Sequence, residues 1–152
     1  MKKGESGMIL AADTSFLLSL LGTDTNTVAA MRIVASLSRP LTLCCLNDLE
    51  LLNASSMAEF QGFTEEGSAA VIAEGLKSDR DSGRLVYPPF NPAKAVARAT
   101  ELSRKHTLTG GYRTYDVLLV VAALEMKATD FLTFDSRQAK LAEAEGLRIR
   151  GV

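Results

Sequence analysis

The stretch DFLTFDSRQAKLAEAEGLRIR, residues 130–150, decides how the chain folds. DFLTF at 130–134 is a short apolar run with strand character, SRQAKLAEAEG has the pattern of a helix, and LRIR predicts a strand at a sheet edge. Asp135 stands where the first strand hands over to the helix. A carboxylate there can serve as a helix N-cap by accepting a backbone N–H from the next turn. Gln138, three residues on, would complete a capping box.

Working outward, the alternation continues. MILAA (8–12) predicts a strand, SFLLSLL (15–21) a short helix, and TNTVAAMRIVASLS (25–38) a better one with Val28, Met31 and Ala35 on one face. Pro40 stops that helix, and LTLCC (41–45) predicts the second strand. A helix from about Asn47 to Phe60 is expected to turn Leu49, Leu52 and Met57 inward, and another covers roughly 64–80. RLVY (84–87) predicts a third strand. NPAKAVARATELSRKH (91–106) predicts a helix with Pro92 near its start. Gly110-Gly111 then predicts a loop, followed by a helix near 113–127. Strands alternating with helices imply an α/β fold, a parallel sheet covered on both faces. No repeat, low-complexity tract or linker divides the chain, so residues 1–152 are expected to form one domain.

Composition narrows the function classes. The hydrophobic share of 47% and charged share of 23% are those of an ordinary globular protein. VLLVVAAL (117–124) is the longest apolar run, far short of the roughly 18 residues that span a bilayer. The segment MKKGESGMILAAD has two lysines but only a brief apolar run ending on an acid, a poor signal peptide, so a cytoplasmic location is expected. A net charge of −1 excludes a globally basic nucleic-acid binder. The charge is uneven, however: residues 1–76 hold four Lys+Arg against nine Asp+Glu, and residues 77–152 hold thirteen against nine. Contacts with phosphates would draw mostly on the second half, unless its charges only solvate a surface. Cys44 and Cys45 are adjacent, so on a strand they point to opposite faces and do not readily pair; two reduced, buried thiols are expected. His106 is the lone histidine and is distant from both, which argues against zinc.

In parallel sheets ligands bind beyond the carboxyl ends of the strands. MILAA runs into Asp13, LTLCC into LNDLELLNA with Glu50 in the first turn of the next helix, and FLTF into Asp135. Asp116, in YRTYDVLLVVAALE, lies instead near the start of a long apolar helix, where it must face a cleft or find a buried partner. Singly, each acid has an ordinary explanation. Asp13 and Asp135 can be N-caps, Glu50 the N3 member of a capping box begun by Asn47, and Asp116 a first-turn acid favoured by the helix dipole. Together on one rim, four carboxylates repel one another unless cations join them. Such oxygen-rich sites suit Mg²⁺ or Mn²⁺ rather than zinc. Carboxylate-bound metal can orient a water and stabilise charge on a phosphodiester. The chain has no phosphate-binding G-x-x-x-x-G-K-[ST] loop and no Gly-rich dinucleotide fingerprint after its first strand. Ser15 stands where a phosphatase with two aspartates one residue apart would need its second acid. Metal-assisted hydrolysis of a phosphate ester is the best chemical fit.

The order Asp13-Thr-Ser, LELLNA with Glu50, RTYDVLLVVAALE with Asp116 and FLTFDSRQAKLAEAEGL with Asp135 resembles a PIN domain. More narrowly it resembles the VapC-type toxin ribonucleases of bacterial toxin–antitoxin pairs. That resemblance covers nearly the whole chain. It implies a three-layer PIN-like fold with a central, mostly parallel sheet of about five strands flanked by helices. It also implies a Mg²⁺- or Mn²⁺-dependent endoribonuclease whose metal-binding and catalytic quartet is Asp13, Glu50, Asp116 and Asp135. Thr14, Ser15 and Thr133 would support metal-bound waters or phosphate oxygens, or only cap. Asn53 would orient the quartet, or be ordinary helix surface. Arg113 would contact substrate or brace Asp116. Relatives often carry a histidine three positions after the third acid, where this chain has Leu119. The resemblance further implies an RNA substrate, a homodimer and a VapB-like antitoxin.

MAEFQGFTEEG (57–67) carries Phe60 and Phe63, which read either as core or as the lining of a groove for a partner helix. Asp48, two residues from Glu50, ranks second for the same ligand role. Two other functions fit the same residues: a non-catalytic PIN-like module that holds RNA or a protein in its cleft, and a small metal-dependent phosphatase or DNA nuclease.

Overall fold

The computed structural model describes residues 7–152; the Lys2-Lys3 end of the amino-terminal segment lies outside the described residues. Five strands form one sheet: β1 (Leu10–Ala12), β2 (Leu41–Thr42), β3 (Leu85–Val86), β4 (Asp130–Leu132) and β5 (Arg148–Arg150). Their order is β3-β2-β1-β4-β5 and every pairing is parallel. The chain first builds outward from β1 to β3, then returns to place β4 on the other side of β1. The switch point thus lies between β1 and β4, where their carboxyl ends open a crevice.

Side chains alternate across the sheet, and the two faces take different helices. Leu10 and Ala12 of β1 and Leu132 of β4 face one core, joined by Phe16 and Leu17 of α1 (Thr14–Leu21), Ala30 of α2 (Thr27–Ser36), Leu51 of α3 (Cys45–Phe60) and Ile72 and Leu76 of α4 (Ser68–Asp81). Ala11 and Phe131 face the other, with Ala95, Ala99 and Leu102 of α5 (Pro92–Gly110), Val117, Val120 and Val121 of α6 (Thr114–Glu125) and Leu141 and Ala142 of α7 (Ser136–Ala144). Three layers result, as expected.

Several local expectations are corrected. Strand character in LTLCC stops at Thr42, because Cys44 takes the N-cap of α3 and Asn47 its N3 position. Cys45 is therefore an exposed first-turn residue, and only Cys44 is buried. Leu49, Leu52 and Met57 point outward, since starting the helix at Cys45 turns Asn47, Leu51 and Ser55 to the core. In α2, likewise, Val28, Met31 and Ala35 are exposed, and Ala30, Ile33 and Val34 pack inward. The α5 helix runs on to Gly110, ending where Gly111 adopts a left-handed conformation. Phe60 and Phe63 are not core: they are 87% and 79% exposed. No helix among the described residues is long and apolar enough to cross a membrane.

Candidate active site

Asp13 follows β1 directly and is almost fully buried. It caps α1, accepting from Phe16 N at 2.9 Å. The Ser15 hydroxyl donates to its two oxygens at 2.7 and 2.9 Å, and the Thr133 hydroxyl donates to Oδ2 at 2.5 Å. All its partners are neutral donors, and no ion pair among the described residues reaches it. Burial, reinforced by the charge of Asp135, pushes its pKa up to about 6, against the pull of the Thr133, Phe16 and Ser15 bonds.

Asp135 caps α7 and accepts from Arg137 N at 2.9 Å and Gln138 N at 3.0 Å. Its own N–H donates to Thr133 Oγ1 at 2.9 Å. Thr133 thus links the two aspartates across the switch point. Ser15 adds a second tie, because its hydroxyl accepts from Phe134 N at 3.1 Å. The Phe134 ring stacks on Phe16 below, at 5.3 Å between centroids. The capping box expected from Gln138 does not form. Its amide donates to the carbonyl of Asp116 at 3.1 Å, fastening α7 to α6.

Glu50 and Asp116 approach from helices. Glu50 stands in the second turn of α3 rather than the first, and is half-buried. It accepts from the Thr14 hydroxyl at 2.5 Å. Burial raises its pKa and the charge of Asp116 adds to this, with Thr14 and Arg113 opposing. Asp116 occupies N3 of α6, buried among apolar neighbours, and its carboxylate accepts from Arg113 N and Nε, both at 3.2 Å. The Arg113 side chain is 79% exposed. Its guanidinium is held charged mainly by the bond to Asp116, with further attraction from Asp135 and Glu50. Three of the four acids therefore interact with one exposed arginine.

Asn53 is exposed on α3, and no hydrogen bond among the described residues joins it to the acids. Asn47 does the bracing near this rim. It is buried, accepts from Cys44 N at 2.9 Å, and donates to the Ala12 carbonyl at 3.0 Å, the last of β1. Its only signal in sequence is an amide two residues past LTLCC, at the head of NDLE. Asp48 turns away to bond Arg80 and the Tyr87 hydroxyl. Leu119 is buried within α6.

The donor set is all oxygen, carboxylate and hydroxyl, which suits a hard divalent ion. Asp13 supplies a second reason, being a buried acid beside another acid with no cation to balance it. As the side chains stand, no three His, Cys, Asp or Glu among the described residues form a metal-holding cluster. The acids instead couple in two pairs, Asp13 with Asp135 and Glu50 with Asp116, and Arg113 bonds Asp116.

No curated protein sequence matches the chain significantly. Among solved structures, the VapC20 toxin of Mycobacterium tuberculosis, described as cleaving the sarcin-ricin loop, superposes with a TM-score of 0.68 at 18% identity, covering 93% of this chain and 98% of that one. VapBC2 from Rickettsia felis, solved bound to a DNA fragment from its promoter, gives 0.61 at 17% identity, covering 94% and 98%. FitAcB from Neisseria gonorrhoeae gives 0.60 at 14% identity, covering 93% and 96%. At these identities the likeness is one of fold. The PIN domain profile matches residues 10–144, nearly the whole chain, and the protein belongs to the PIN domain family.

Proposed function

We propose that the chain is a Mg²⁺- or Mn²⁺-dependent endoribonuclease of the VapC toxin type, with Asp13, Glu50, Asp116 and Asp135 as its metal-holding acids. One observation carries the reading: near the switch point, acids from four separate elements stand in two electrostatically coupled pairs, Asp13 with Asp135 and Glu50 with Asp116, and the most buried of them, Asp13, has no cationic partner among the described residues. A divalent ion there would activate a water and offset charge on the phosphodiester under attack. Asp13 would supply the deepest ligand, its orientation set by Ser15 and Thr133. Asp135 would be held beside it through the shared Thr133 hydroxyl. Thr14 would keep Glu50 turned toward the rim. Arg113, with its guanidinium exposed, would leave Asp116 to meet a substrate phosphate.

A VapB-like antitoxin and a second copy of the chain are the partners this reading expects, as VapBC assemblies occur among the structural relatives. Exposed Phe60 and Phe63, with Met57 and Val71, support a seat for a protein partner. The alternative, a non-catalytic module that binds RNA or protein in the same crevice, is favoured by the absence of a ready three-carboxylate cluster among the described residues. Purified protein incubated with total RNA and Mg²⁺ or Mn²⁺ separates the two. Cleavage that needs the metal and both Asp13 and Asp116 supports the nuclease. Intact RNA, with folded protein and metal present, favours the binding module.

A further inference from the structure

Beside the acid rim, a second cleft of about 550 Å³ opens between the end of α5 and the start of α7. It is lined by His106, Tyr112, Ser136, Arg137 and Lys140, with Thr109 and Gly110. A hollow of about 530 Å³ on the other side of α7 is lined by Ser15, Asp24, Phe134, Asp135 and again Ser136. Ser136, one residue from Asp135, lines both clefts. One side of this track is acidic and the other basic.

The basic side has charge to spare. Glu145 engages Lys105 at 3.3 Å and His106 at 3.1 Å, but Arg137 and Lys140 form no ion pair among the described residues. The Arg137 guanidinium makes one 3.4 Å bond, from Nη1 to the Gly111 carbonyl, and its other N–H groups have no partner among the described residues. The aromatic wall is also built for its place. A Cβ on Gly110 would lie 2.2 Å from the Tyr112 ring, so the helix ends on glycine where the ring packs down on it. Tyr112 is half-buried, anchored on the α5–α6–α7 core with part of its surface toward the cleft.

Resting on the nuclease reading, we infer that this cleft binds a single-stranded stretch of RNA next to the bond that is cut. Arg137 and Lys140 hold its phosphates, and Tyr112 stacks on an unpaired base. Aromatic stacking needs bases splayed out of a duplex, and the cationic pair recognises backbone without regard to sequence. The cleft therefore contributes preference for an unpaired loop rather than for particular bases.

The test is fluorescence anisotropy in EDTA, where the nuclease reading forbids cutting, using a short mixed-sequence single-stranded RNA and a matched duplex. Arg137→Gln with Lys140→Gln is expected to weaken single-strand binding about 10-fold. It should also flatten the salt dependence by about 1.4 in log–log slope, the amount for two phosphates on a single strand. Tyr112→Leu is expected to weaken the single strand several-fold and leave the duplex unchanged. Lys94→Gln with Lys127→Gln, equal in charge but outside the cleft, should change neither. Equal losses from the two charge pairs, or wild-type affinity in the cleft variants, overturn the inference. Parallel cleavage of total RNA with Mn²⁺ separates the failures. A wild type that cuts RNA beside cleft variants that bind normally removes the cleft alone. A wild type that neither cuts nor binds removes the nuclease reading with it.

Discussion

Asp13 and Asp135 emerge from adjacent strands and share one buried hydroxyl, whereas Glu50 and Asp116 stand on two helices, Glu50 held by a single side-chain hydroxyl and Asp116 by the backbone N–H and the exposed guanidinium of Arg113. The first pair is fixed by backbone caps, by Ser15 and by Thr133, and any movement would disturb the ends of β1 and β4. Glu50 depends on the Thr14 hydroxyl and Asp116 on Arg113. On the nuclease reading, a site that admits both metal and polyanion would gain from this division. One half sets the position, and the other adjusts.

The largest effect should come from breaking the rigid half at its centre. Asp13→Asn keeps a side-chain oxygen that can cap α1 but removes the charge. RNA cleavage is expected to fall at least ~10²-fold, the scale of losing one key electrostatic group in an active site. Residual activity near wild type, by gel assay with Mn²⁺, would show that Glu50 and Asp116 suffice.

The same variant sharpens the comparison through pH. Folding raises the Asp13 pKa from 3.8 to about 6, chiefly by burial. A carboxyl raised in the folded state adds stability that is fully present below its unfolded pKa and is lost as pH rises through the folded value. Metal-free wild type should therefore lose on the order of 2–3 kcal/mol from this group between about pH 4 and pH 6–7. Asp13→Asn lacks that loss. Without metal it should be the more stable protein at pH 7 in urea unfolding, with the advantage vanishing near pH 4. Saturating Mn²⁺ should reverse the order at pH 7, because only wild type gains the ligand's stabilisation. Parallel stability curves for the two proteins would show that Asp13 is not the strained acid.

The two hydroxyls give the next contrast. Thr133→Val removes a buried donor and acceptor that serves both aspartates, and should cost about 1–3 kcal/mol. Thr14→Val removes one bond to a half-buried acid and should cost about 0.5–1.5 kcal/mol. Chemical denaturation of both variants checks this, and equal losses would mean that the helix-borne acid is held as firmly as the strand-borne pair.

The sequence announced the rigid half more clearly than the flexible one. Short apolar runs that stop at Asp13 and Asp135 are strand ends followed by helix caps, so local pattern and tertiary position agree there. Parallel pairing then brings both acids to the same crevice. The helical side misled because its apolar residues are not all inward. Val28, Met31, Leu49 and Met57 mark exposed faces, and the core side of α3 includes Asn47 and Ser55. The start of α3 was hidden because cysteine is an unusual N-cap, and shifting that start displaced Glu50 by a turn. Asn47 and Gln138 read as capping residues, yet their amides reach across to Ala12 and Asp116. A sequence offset shows only the local half of such a bond.

Arg113→Gln should have the smallest effect on folding and the most informative one on metal. Arg113 is exposed although Asp116 is buried, and the backbone N–H of residue 113 still bonds Asp116 after the substitution, so stability should move by about 0.5–1 kcal/mol. The guanidinium nevertheless feels Asp116, Asp135 and Glu50 together, so it competes with any divalent ion for the same charge. Removing it should tighten Mn²⁺ binding a few-fold, measured by calorimetry or by the loss of the free-ion resonance signal. RNA cleavage should fall despite the tighter metal, because the variant lacks the arm that reaches the phosphate. Weaker Mn²⁺ binding would instead make Arg113 a brace that aims Asp116. The two halves of the rim would then differ in burial but not in rigidity.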